Sequence, residues 1–532
     1  MQLQHWLLDS DERGNPHTRI DRRHDGTAWT LGNEVRPLVH GAVYFAELLR
    51  CIEALRSGDL LMFTDWRGDP DQRLAGLGTE VSRVLCAAAE RGVVVKGLVW
   101  RSHLDRFQFS EQENRHLGEA IEAAGGECLR DMRVRPGGSH HQKYVVLRHR
   151  GRPELDVAFA GGIDLCHSRR DDADHRGDVQ RQPMAAVYSD RPPWHDAQLA
   201  IRGPAVGDVE ACFRERWIDP SPLTRNPYYR LIDRFRHEDV SAGRLPEQLP
   251  DPAARGTHAV QVLRTYPARL RGFPFAPQGE RSIARAYEKV IANARSLIYI
   301  EDQYFWGGEI ARCFARALTE NPQLRLIAVI PHYPDQDGRI AMPPNLVGRQ
   351  QALERVRAAG GDRVAVYGPE NHAGTPVYVH AKICVVDDVW ASVGSDNVNR
   401  RSWTHDSELS CAVLDEELDD REPRSVDRFG DGARRFARDL RLELAREHLD
   451  RAVGEDSDLV DPVAAFNAFA RSATELQSWH DGGRRGDRPP GGLRPYRQGP
   501  VPRHTMVWAA PLYRSFYDPD GRPRAMRRRN AF

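Results

Sequence analysis

Apolar residues along the chain alternate between a helical spacing and short continuous runs, which predicts helices and buried strands in alternation. A helical spacing that begins near residue 37 leads to the apolar run 60–64, and a later helical stretch, 111–124, leads to the run 139–147. Further strand-like runs occupy 93–100 and 158–164. This order is typical of the α/β fold class.

The later part of the chain repeats this order. One predicted strand ends at Asp65 and its counterpart ends at Asp302, 237 residues later, while His141 and His380 are 239 residues apart. A chain of 532 residues also exceeds the size at which one hydrophobic core usually keeps growing. The pattern therefore predicts a duplicated α/β unit.

The composition predicts where the two copies meet. Residues 238–257 are rich in Pro, Ala, Gly and acids, which indicates a linker between a first half, 1–237, and a second half, 258–450. Residues 451–532 form an extension rich in Arg and Pro. That extension could contact anionic lipid headgroups or act as a strap across the domains, and the strap is the favoured interpretation.

Global charge and apolar content exclude several classes of protein. Basic and acidic residues balance at 76 each, so no overall charge favours nucleic acid or an anionic membrane. The first residues lack the apolar core of a signal peptide, and no apolar run reaches the length of a membrane span. The eight cysteines are scattered singly. We expect a cytoplasmic protein with reduced thiols, with peripheral membrane contact as an open alternative.

Lysine is scarce in a way that indicates chemistry. Only four lysines accompany 72 arginines, and two of the four lie in His-x-Lys triplets, His141-Gln-Lys143 and His380-Ala-Lys382. An ammonium is a compact point charge and a guanidinium is a planar fork, so a site that needs the first rejects the second. The triplets are the predicted catalytic residues.

Two such triplets fit the cleavage of a phosphodiester. The reaction needs a nucleophile, an acid for the leaving alkoxide and positive donors for the phosphoryl oxygens. Two imidazoles, one neutral and one protonated, and two ammonium groups supply these without a metal or a cofactor. A carboxylate on the remote ring nitrogen would fix each tautomer. The candidates are Asp196 and Asp406, at equivalent positions of the repeat, and Glu408 is the alternative to Asp406.

Further candidates flank the triplets. Asp387 follows the second triplet and completes an H-x-K-x4-D motif, which places it among the predicted catalytic residues. The predicted substrate contacts come from the segments that follow each triplet and from the Asp406 strand: Gly162, Asp164, Ser395, Asn397 and Glu408. For the glycines and for Ser395 and Asn397, a purely structural role at a tight strand exit is an alternative.

From about Trp6 to Leu449 the chain resembles the phospholipase D superfamily, and more narrowly bacterial members related to the eukaryotic type. The segments that carry the resemblance are Phe63-Thr-Asp-Trp-Arg-Gly-Asp-Pro70, Ser139-His-His-Gln-Lys143, Gly161-Gly-Ile-Asp-Leu165, Pro193-Trp-His-Asp196, Tyr299-Ile-Glu-Asp-Gln-Tyr-Phe305, His380-Ala-Lys382 and Arg446-Glu-His-Leu449. The resemblance implies a pseudo-dimer of two α/β/α sandwiches with mixed, largely parallel sheets, a site at their interface and a phosphohistidine intermediate. It also implies that His141 is the nucleophile and His380 the acid.

The first triplet departs from the family pattern at one position, because Arg148 stands where the motif has an aspartate. In the family that aspartate lies away from phosphorus, so activity is expected to survive.

The expected function is hydrolysis or headgroup exchange of glycerophospholipids at a membrane surface by a monomer, with water or an alcohol as acceptor. A cardiolipin synthase-like phosphatidyltransferase has the same chemistry, but such enzymes commonly carry membrane-spanning segments. A nucleic-acid phosphodiesterase is less favoured because no basic groove is indicated. A non-catalytic lipid-binding module is disfavoured because both triplets are intact.

Overall fold

The computed structural model describes residues 3–23, 26–102, 110–236, 240–338 and 342–532. Residues 238 and 239, the first two of the predicted linker, lie outside the described residues. The strands are β1 (Thr30–Val39), β2 (Leu60–Asp65), β3 (Val94–Trp100), β4 (Glu127–Asp131), β5 (Tyr144–Arg148), β6 (Val157–Gly161), β7 (Trp194–His195), β8 (Ala197–Arg202), β9 (His258–Tyr266), β10 (Glu280–Arg281), β11 (Leu297–Glu301), β12 (Arg325–Val329), β13 (Val364–Pro369), β14 (Tyr378–Val379), β15 (Ile383–Val386), β16 (Trp390–Gly394), β17 (Glu408–Asp415) and β18 (Leu493–Pro495).

The helices are α1 (Ser10–Arg13), α2 (Arg19–Arg23), α3 (Gly41–Glu53), α4 (Val81–Glu90), α5 (Glu111–Ala123), α6 (Ala205–Trp217), α7 (Pro227–Arg236), α8 (Ser282–Asn293), α9 (Ala311–Glu320), α10 (Met342–Gly360), α11 (Arg400–Thr404), α12 (Arg435–His448), α13 (Ser457–Val460), α14 (Pro462–Asp481), α15 (Arg503–Leu512) and α16 (Arg524–Arg529). A π-helical turn, Tyr513–Tyr517, continues α15. Among the helices of the described ranges, none combines the length and the apolar character needed to cross a membrane.

The strands have the same order in the two halves. The first half has the order β1-β8-β6-β5-β2-β3-β4, and the second has the matching order β9-β17-β16-β15-β11-β12-β13, with β18 added at its edge. The two halves join into one sheet because β1 and β9 pair antiparallel, with Thr30 opposite Val260 and Asn33 opposite His258. The internal repeat of the sequence is therefore also a repeat of topology.

The expectation of mixed sheets is confirmed, but the parallel share is smaller than predicted. Among the described residues of each half, parallel pairing joins only three neighbouring strands, β2-β3-β4 and β11-β12-β13. Helices connect these strands and allow the crossover that parallel pairing needs. Strands β5 and β15, which directly follow the two triplets, instead pair antiparallel with both neighbours. Short connections lead from them to β6 and β16.

Side chains alternate between two helical layers, which makes each half an α/β/α sandwich. On β2, Leu61 and Phe63 pack with α3, α4 and α5, while Leu60 and Met62 pack on the opposite face in the cluster that contains α6. Strand β15 behaves in the same way: Cys384 faces α8 and α9, and Ile383 faces α12 and α14. Apolar runs without alternation are what a strand buried on both faces requires.

Both chain ends belong to the second half. Trp6, Leu7 and Leu8 lie in its core, and the Leu8 N–H donates to Gln261 Oε1 at 3.0 Å. The extension 451–532 is ordered rather than loosely attached, because β18 pairs with β13 and Phe532 packs in the same core as Trp6. The extension therefore packs against the second half through β18 and Phe532.

Candidate active site

The two His-x-Lys triplets lie at equivalent places, directly before β5 and β15. Because β5 runs antiparallel to β2, this end of the sheet also carries the carboxyl ends of β2 and β3, where α/β proteins commonly hold their sites. The first triplet was predicted to lie within the run 139–147. It instead precedes β5, and His380 and Lys382 fall between β14 and β15, where the segment before β15 pairs with the other half of the molecule.

Each triplet forms a backbone hydrogen bond with the opposite half of the molecule. The His141 N–H donates to the Ser407 carbonyl at 2.9 Å, and the His380 N–H donates to the His195 carbonyl at 2.7 Å. Strands β14 and β7 pair in parallel beside His380. Each histidine is therefore held against a segment of the opposite half, and neither half can form the arrangement alone.

Each imidazole also meets a carboxylate from the opposite half. His141 Nδ1 lies 2.9 Å from Glu408 Oε2, and His380 Nδ1 lies 2.6 Å from Asp196 Oδ2. A hydroxyl supports the first carboxylate, since Ser395 donates to Glu408 at 2.6 Å. The Ala197 N–H supports Asp196 at 2.9 Å. Because each Nδ1 is engaged, Nε2 is the ring nitrogen left for chemistry.

Burial controls the charge of the site. It lowers the pKa of His141 and of His380 well below the ordinary value, with nearby lysine ammonium groups as the next cause. Burial lowers the pKa of Lys382 to about 8 and raises the pKa of Glu408 to about 8. Burial therefore favours the neutral form of both imidazoles.

Each lysine donates a hydrogen bond to the backbone carbonyl of the histidine in its own triplet. Lys143 donates to the His141 carbonyl at 2.9 Å and lies 3.3 Å from Asp164 Oδ1. Lys382 donates to the His380 carbonyl and lies 3.3 Å from Gln303 Oε1. Both ammonium groups are buried, so the space around them is set by short contacts that a planar fork would not fit.

A cavity of about 590 Å³ opens over the two histidines. Its wall includes aromatic rings and polar groups from both halves and from the C-terminal segment: Trp66, Trp100, Trp194, Tyr378, Asp164, Asn397, Arg169, Arg401, Phe516 and Tyr517. A wall that combines aromatic rings with many polar and charged groups suits a ligand that has an anionic head and an apolar body.

Asp406 and Asp387 do not occupy the positions predicted for them. Asp406 accepts from the Ser139 N–H at 2.9 Å and from Arg401 Nε at 2.6 Å, so its carboxylate holds the loop before the first triplet. Glu408, the alternative, is the residue beside His141. Asp387 accepts three N–H groups from residues 295–297 at 2.7–3.0 Å, which anchors the turn before β11.

The remaining predicted contacts are close to the histidines. A side chain at Gly162 would collide with Asp196, so glycine there leaves room for the carboxylate that faces His380. Ser395 contacts Glu408 rather than open cavity. Asn397 lines the cavity, and its Oδ1 is buried without a partner among the described residues. Asn397 is thus available to a ligand.

The departure at Arg148 is accommodated structurally. Its guanidinium is buried and pairs with Asp156 at 2.8 Å and with Glu210, at the end of β5 remote from His141. The position therefore remains a folding contact, as Asp387 is in the second half.

A buried cluster behind His380 was missed by the sequence reasoning. Glu447 lies within 2.8–3.0 Å of three imidazole nitrogens, on His40, His175 and His195. The other nitrogen of His195 meets Glu301 at 2.6 Å. His40, His175, His195 and Glu447 have the donor set and the convergence of a group that could hold a metal ion. These residues are dispersed along the chain, so spacing alone could not identify them, although His195 and Glu447 lie in the segments that carry the family resemblance.

The sequence was compared with protein families and with known proteins. The family model described as Phospholipase D matches residues 83–316, and the model described as Cardiolipin synthase, PLD-like domain, matches residues 287–423. Phospholipase D alpha 1 of Cynara cardunculus is 26% identical over 462 residues, which cover 65% of this chain and 56% of that protein. Phospholipase D1 of Homo sapiens is 30% identical over 316 residues, which cover 52% of this chain and 28% of that protein.

The chain thus spans about half, or less, of the length of these relatives. Among solved structures, the crystal structure of phosphatidylserine synthase from Haemophilus influenzae Rd KW20 aligns with a TM-score of 0.48 at 14% identity, over 76% of this chain and 87% of that one. The two family models match overlapping parts of the chain, so residues 83–423 are similar to phospholipase D-type domains.

Proposed function

We propose that the protein is a phospholipase D-type phosphodiesterase, which hydrolyses glycerophospholipids to phosphatidic acid and free headgroup or exchanges the headgroup with an alcohol. The observation that carries the proposal is the reciprocal arrangement of His141 and His380, each held through Nδ1 by a carboxyl group of the opposite half and both lining one cavity. This arrangement provides two imidazoles for one phosphate.

In the proposed mechanism, His141 Nε2 attacks phosphorus and His380 protonates the leaving alkoxide, which forms a phosphohistidine and frees the headgroup alcohol. His380 then takes a proton from water or an acceptor alcohol, whose oxygen displaces His141. Lys143 and Lys382 stabilise the phosphoryl oxygens throughout. Each step breaks one P–O or P–N bond and forms another, so no redox partner is needed.

The charge state fits this sequence once substrate is bound. His141 must be neutral to attack, and burial keeps its pKa low. His380 must carry a proton, and the negative charge of a phosphodiester beside it raises the pKa of an imidazole. Substrate binding would thereby protonate the acid at the moment it is required.

A phosphatidyltransferase is the second candidate, because the cardiolipin synthase-type model matches the segment that contains His380 and Lys382. The two functions share both half-reactions and differ only in the acceptor that enters the site. In either case the phospholipid is proposed to be reached from a membrane surface, and one chain supplies both halves of the site, which fits a monomer.

The test is product identification by mass spectrometry with a panel of diacyl phospholipids, in water and with added primary alcohol or glycerol. The proposal predicts phosphatidic acid in water and the transphosphatidylated lipid when alcohol is present. If the only product were one in which the phosphatidyl group is joined to the alcohol of another lipid, the phosphatidyltransferase would be favoured. No turnover of any phospholipid, with turnover of oligonucleotides, would contradict both lipid functions. His372→Ala is a suitable control, because the His372 side chain is 69% exposed.

A further inference from the structure

Helix α7 exposes an unusual apolar face. Tyr228, Leu231 and Phe235 follow one another at spacings of three and four residues, which places them on one side of the helix. They are 58%, 55% and 77% exposed. Arg230 and Arg234, also exposed, lie beside this face. Clustered exposed apolar side chains mark interaction surfaces, and arginines that flank such a face are typical of helices that lie on a lipid surface.

The opposite face fastens α7 beside the cavity. Asp233 is buried and accepts two hydrogen bonds from Arg101, at 2.5 and 2.9 Å, and the Arg101 guanidinium lies 4.6 Å from the ring of Tyr229. Arg101 directly follows Trp100, which lines the cavity. The apolar face of α7 is therefore held in place close to the cavity wall.

The C-terminal segment carries a similar surface on the other side of the site. Trp508 and Leu512 of α15 and Phe516 of the π-helical turn are 38%, 43% and 62% exposed, while Tyr513 on the inner face packs against Trp306. Phe516 lines the cavity, and its carbonyl accepts from Arg401 at 3.0 Å. An exposed ring thus stands at the opening itself.

A chain of contacts joins the two surfaces. Arg225, two residues before α7, donates to the carbonyl of Leu270 at 2.7 Å, and Leu270 is 86% exposed. Arg135 donates both to the Ala268 carbonyl at 2.7 Å and to the Gly521 carbonyl at 3.2 Å. Gly521 lies three residues after Asp518, the residue that ends the π-helical turn. Helix α7, the loop around Leu270 and the C-terminal turn therefore form one rim.

We propose that this rim is the surface on which the protein docks to a bilayer rich in anionic phospholipid. The exposed side chains enter the boundary between headgroups and acyl chains, and the arginines of α7 contact lipid phosphates. The proposal rests on the proposed function in one respect: a diacyl substrate has to leave a bilayer to reach the cavity, and Phe516 lies at that entrance.

Vesicle sedimentation with the full chain tests the rim without relying on turnover. Vesicles of phosphatidylcholine alone are compared with vesicles that contain equal amounts of phosphatidylcholine and phosphatidylglycerol. The wild-type protein should prefer the anionic vesicles. Leu231→Ser/Phe235→Ser should lower the partition coefficient by about tenfold, because two apolar side chains no longer gain from burial. Arg230→Glu/Arg234→Glu should abolish the preference for anionic lipid.

Val453→Ser is the matched control, because Val453 is 89% exposed and lies outside the rim, between α12 and α13. It should bind as the wild type does. Turnover of a short-chain phospholipid below its micelle concentration should be unchanged in Leu231→Ser/Phe235→Ser, which separates docking from catalysis. Wild-type binding by that double variant would overturn the proposal, as would a wild-type protein that ignores vesicles. Self-association that the same variant abolishes would assign the surface to a second copy of the chain instead.

Discussion

The two halves share one strand order but differ in the carboxylate that each lends to the other. In the repeat, Asp196 corresponds to Asp406, and Glu408 corresponds to Gln198. Yet His380 contacts Asp196, whereas His141 contacts Glu408. Backbone symmetry thus places two imidazoles at one site, while side-chain asymmetry gives them different surroundings, as one attacking and one protonating group require.

The difference extends to solvent access. The His141 side chain is 16% exposed and that of His380 is 6% exposed, so the first ring is the more open to an incoming phosphate. The Glu408 carboxyl group, whose pKa is raised to about 8, contacts His141. The Asp196 carboxylate, which accepts from the Ala197 N–H, contacts His380. We expect these two surroundings to correspond to two different roles in the reaction.

Removal of either imidazole should have the largest effect. His141→Ala and His380→Ala are each expected to lower kcat by about 10⁴-fold or more, because members of a catalytic unit act together. The double variant should lose little beyond either single variant. Steady-state kinetics with a diacyl phospholipid measures this, with circular dichroism to show that the fold is retained. Near-normal turnover by either single variant would refute a two-histidine site.

The carboxylates should rank in the order that the structure shows. Glu408→Gln keeps the size but weakens the orientation of His141, and should lower kcat by about 10²-fold or more. Asp406→Asn, which alters the contacts to Ser139 and Arg401, should cost less activity and more thermal stability. Kinetics and thermal unfolding of the two variants separate the effects. A larger catalytic loss for Asp406→Asn would restore the symmetric assignment.

Lysine should not be replaceable by arginine in either triplet. Lys143→Arg and Lys382→Arg keep the charge, but the fork cannot fit beside the triplet carbonyls without displacing the phosphate, so kcat/KM should fall by about 10²-fold. Lys96→Arg and Lys289→Arg are matched controls outside the triplets, and they should retain activity. If all four variants behaved alike, the scarcity of lysine would carry no catalytic meaning.

The pH profile should show a limb near pH 8. Lys382, with its pKa lowered to about 8, is charged below that pH and neutral above it. Glu408, with its pKa raised to about 8, gains a negative charge over the same interval. Both changes weaken the attraction for a phosphate anion as pH rises, so kcat/KM should fall above about pH 8. A profile that stays flat to pH 10 would contradict these ionisations.

Much of the fold followed from local pattern. Apolar runs without alternation identified strands buried on both faces, and the constant offset between Asp65 and Asp302, and between His141 and His380, identified the repeat. Chain ends were assigned less well. Nothing local to Trp6 or Phe532 shows that both pack in the second half, because such packing depends on contacts between residues hundreds of positions apart.

The site was predictable where a residue's chemistry is unusual and not where its role depends on a partner. The scarcity of lysine and the occurrence of two His-x-Lys triplets indicated that these residues are catalytic candidates. Asp406 was placed beside His141 by symmetry, but its carboxylate is taken by Ser139 and Arg401, and Glu408 is closer to the ring. The cluster around Glu447 escaped notice for the same reason, since its members converge only in three dimensions.

The stereochemical course at phosphorus tests the central claim, that a histidine of one half and a histidine of the other perform two displacements at one phosphate. The measurement uses a phospholipid with a chiral, isotopically labelled phosphate and a primary alcohol as acceptor. Two in-line displacements through phosphohistidine predict retention of configuration. Inversion would mean that the acceptor attacks phosphorus directly, and would contradict the account.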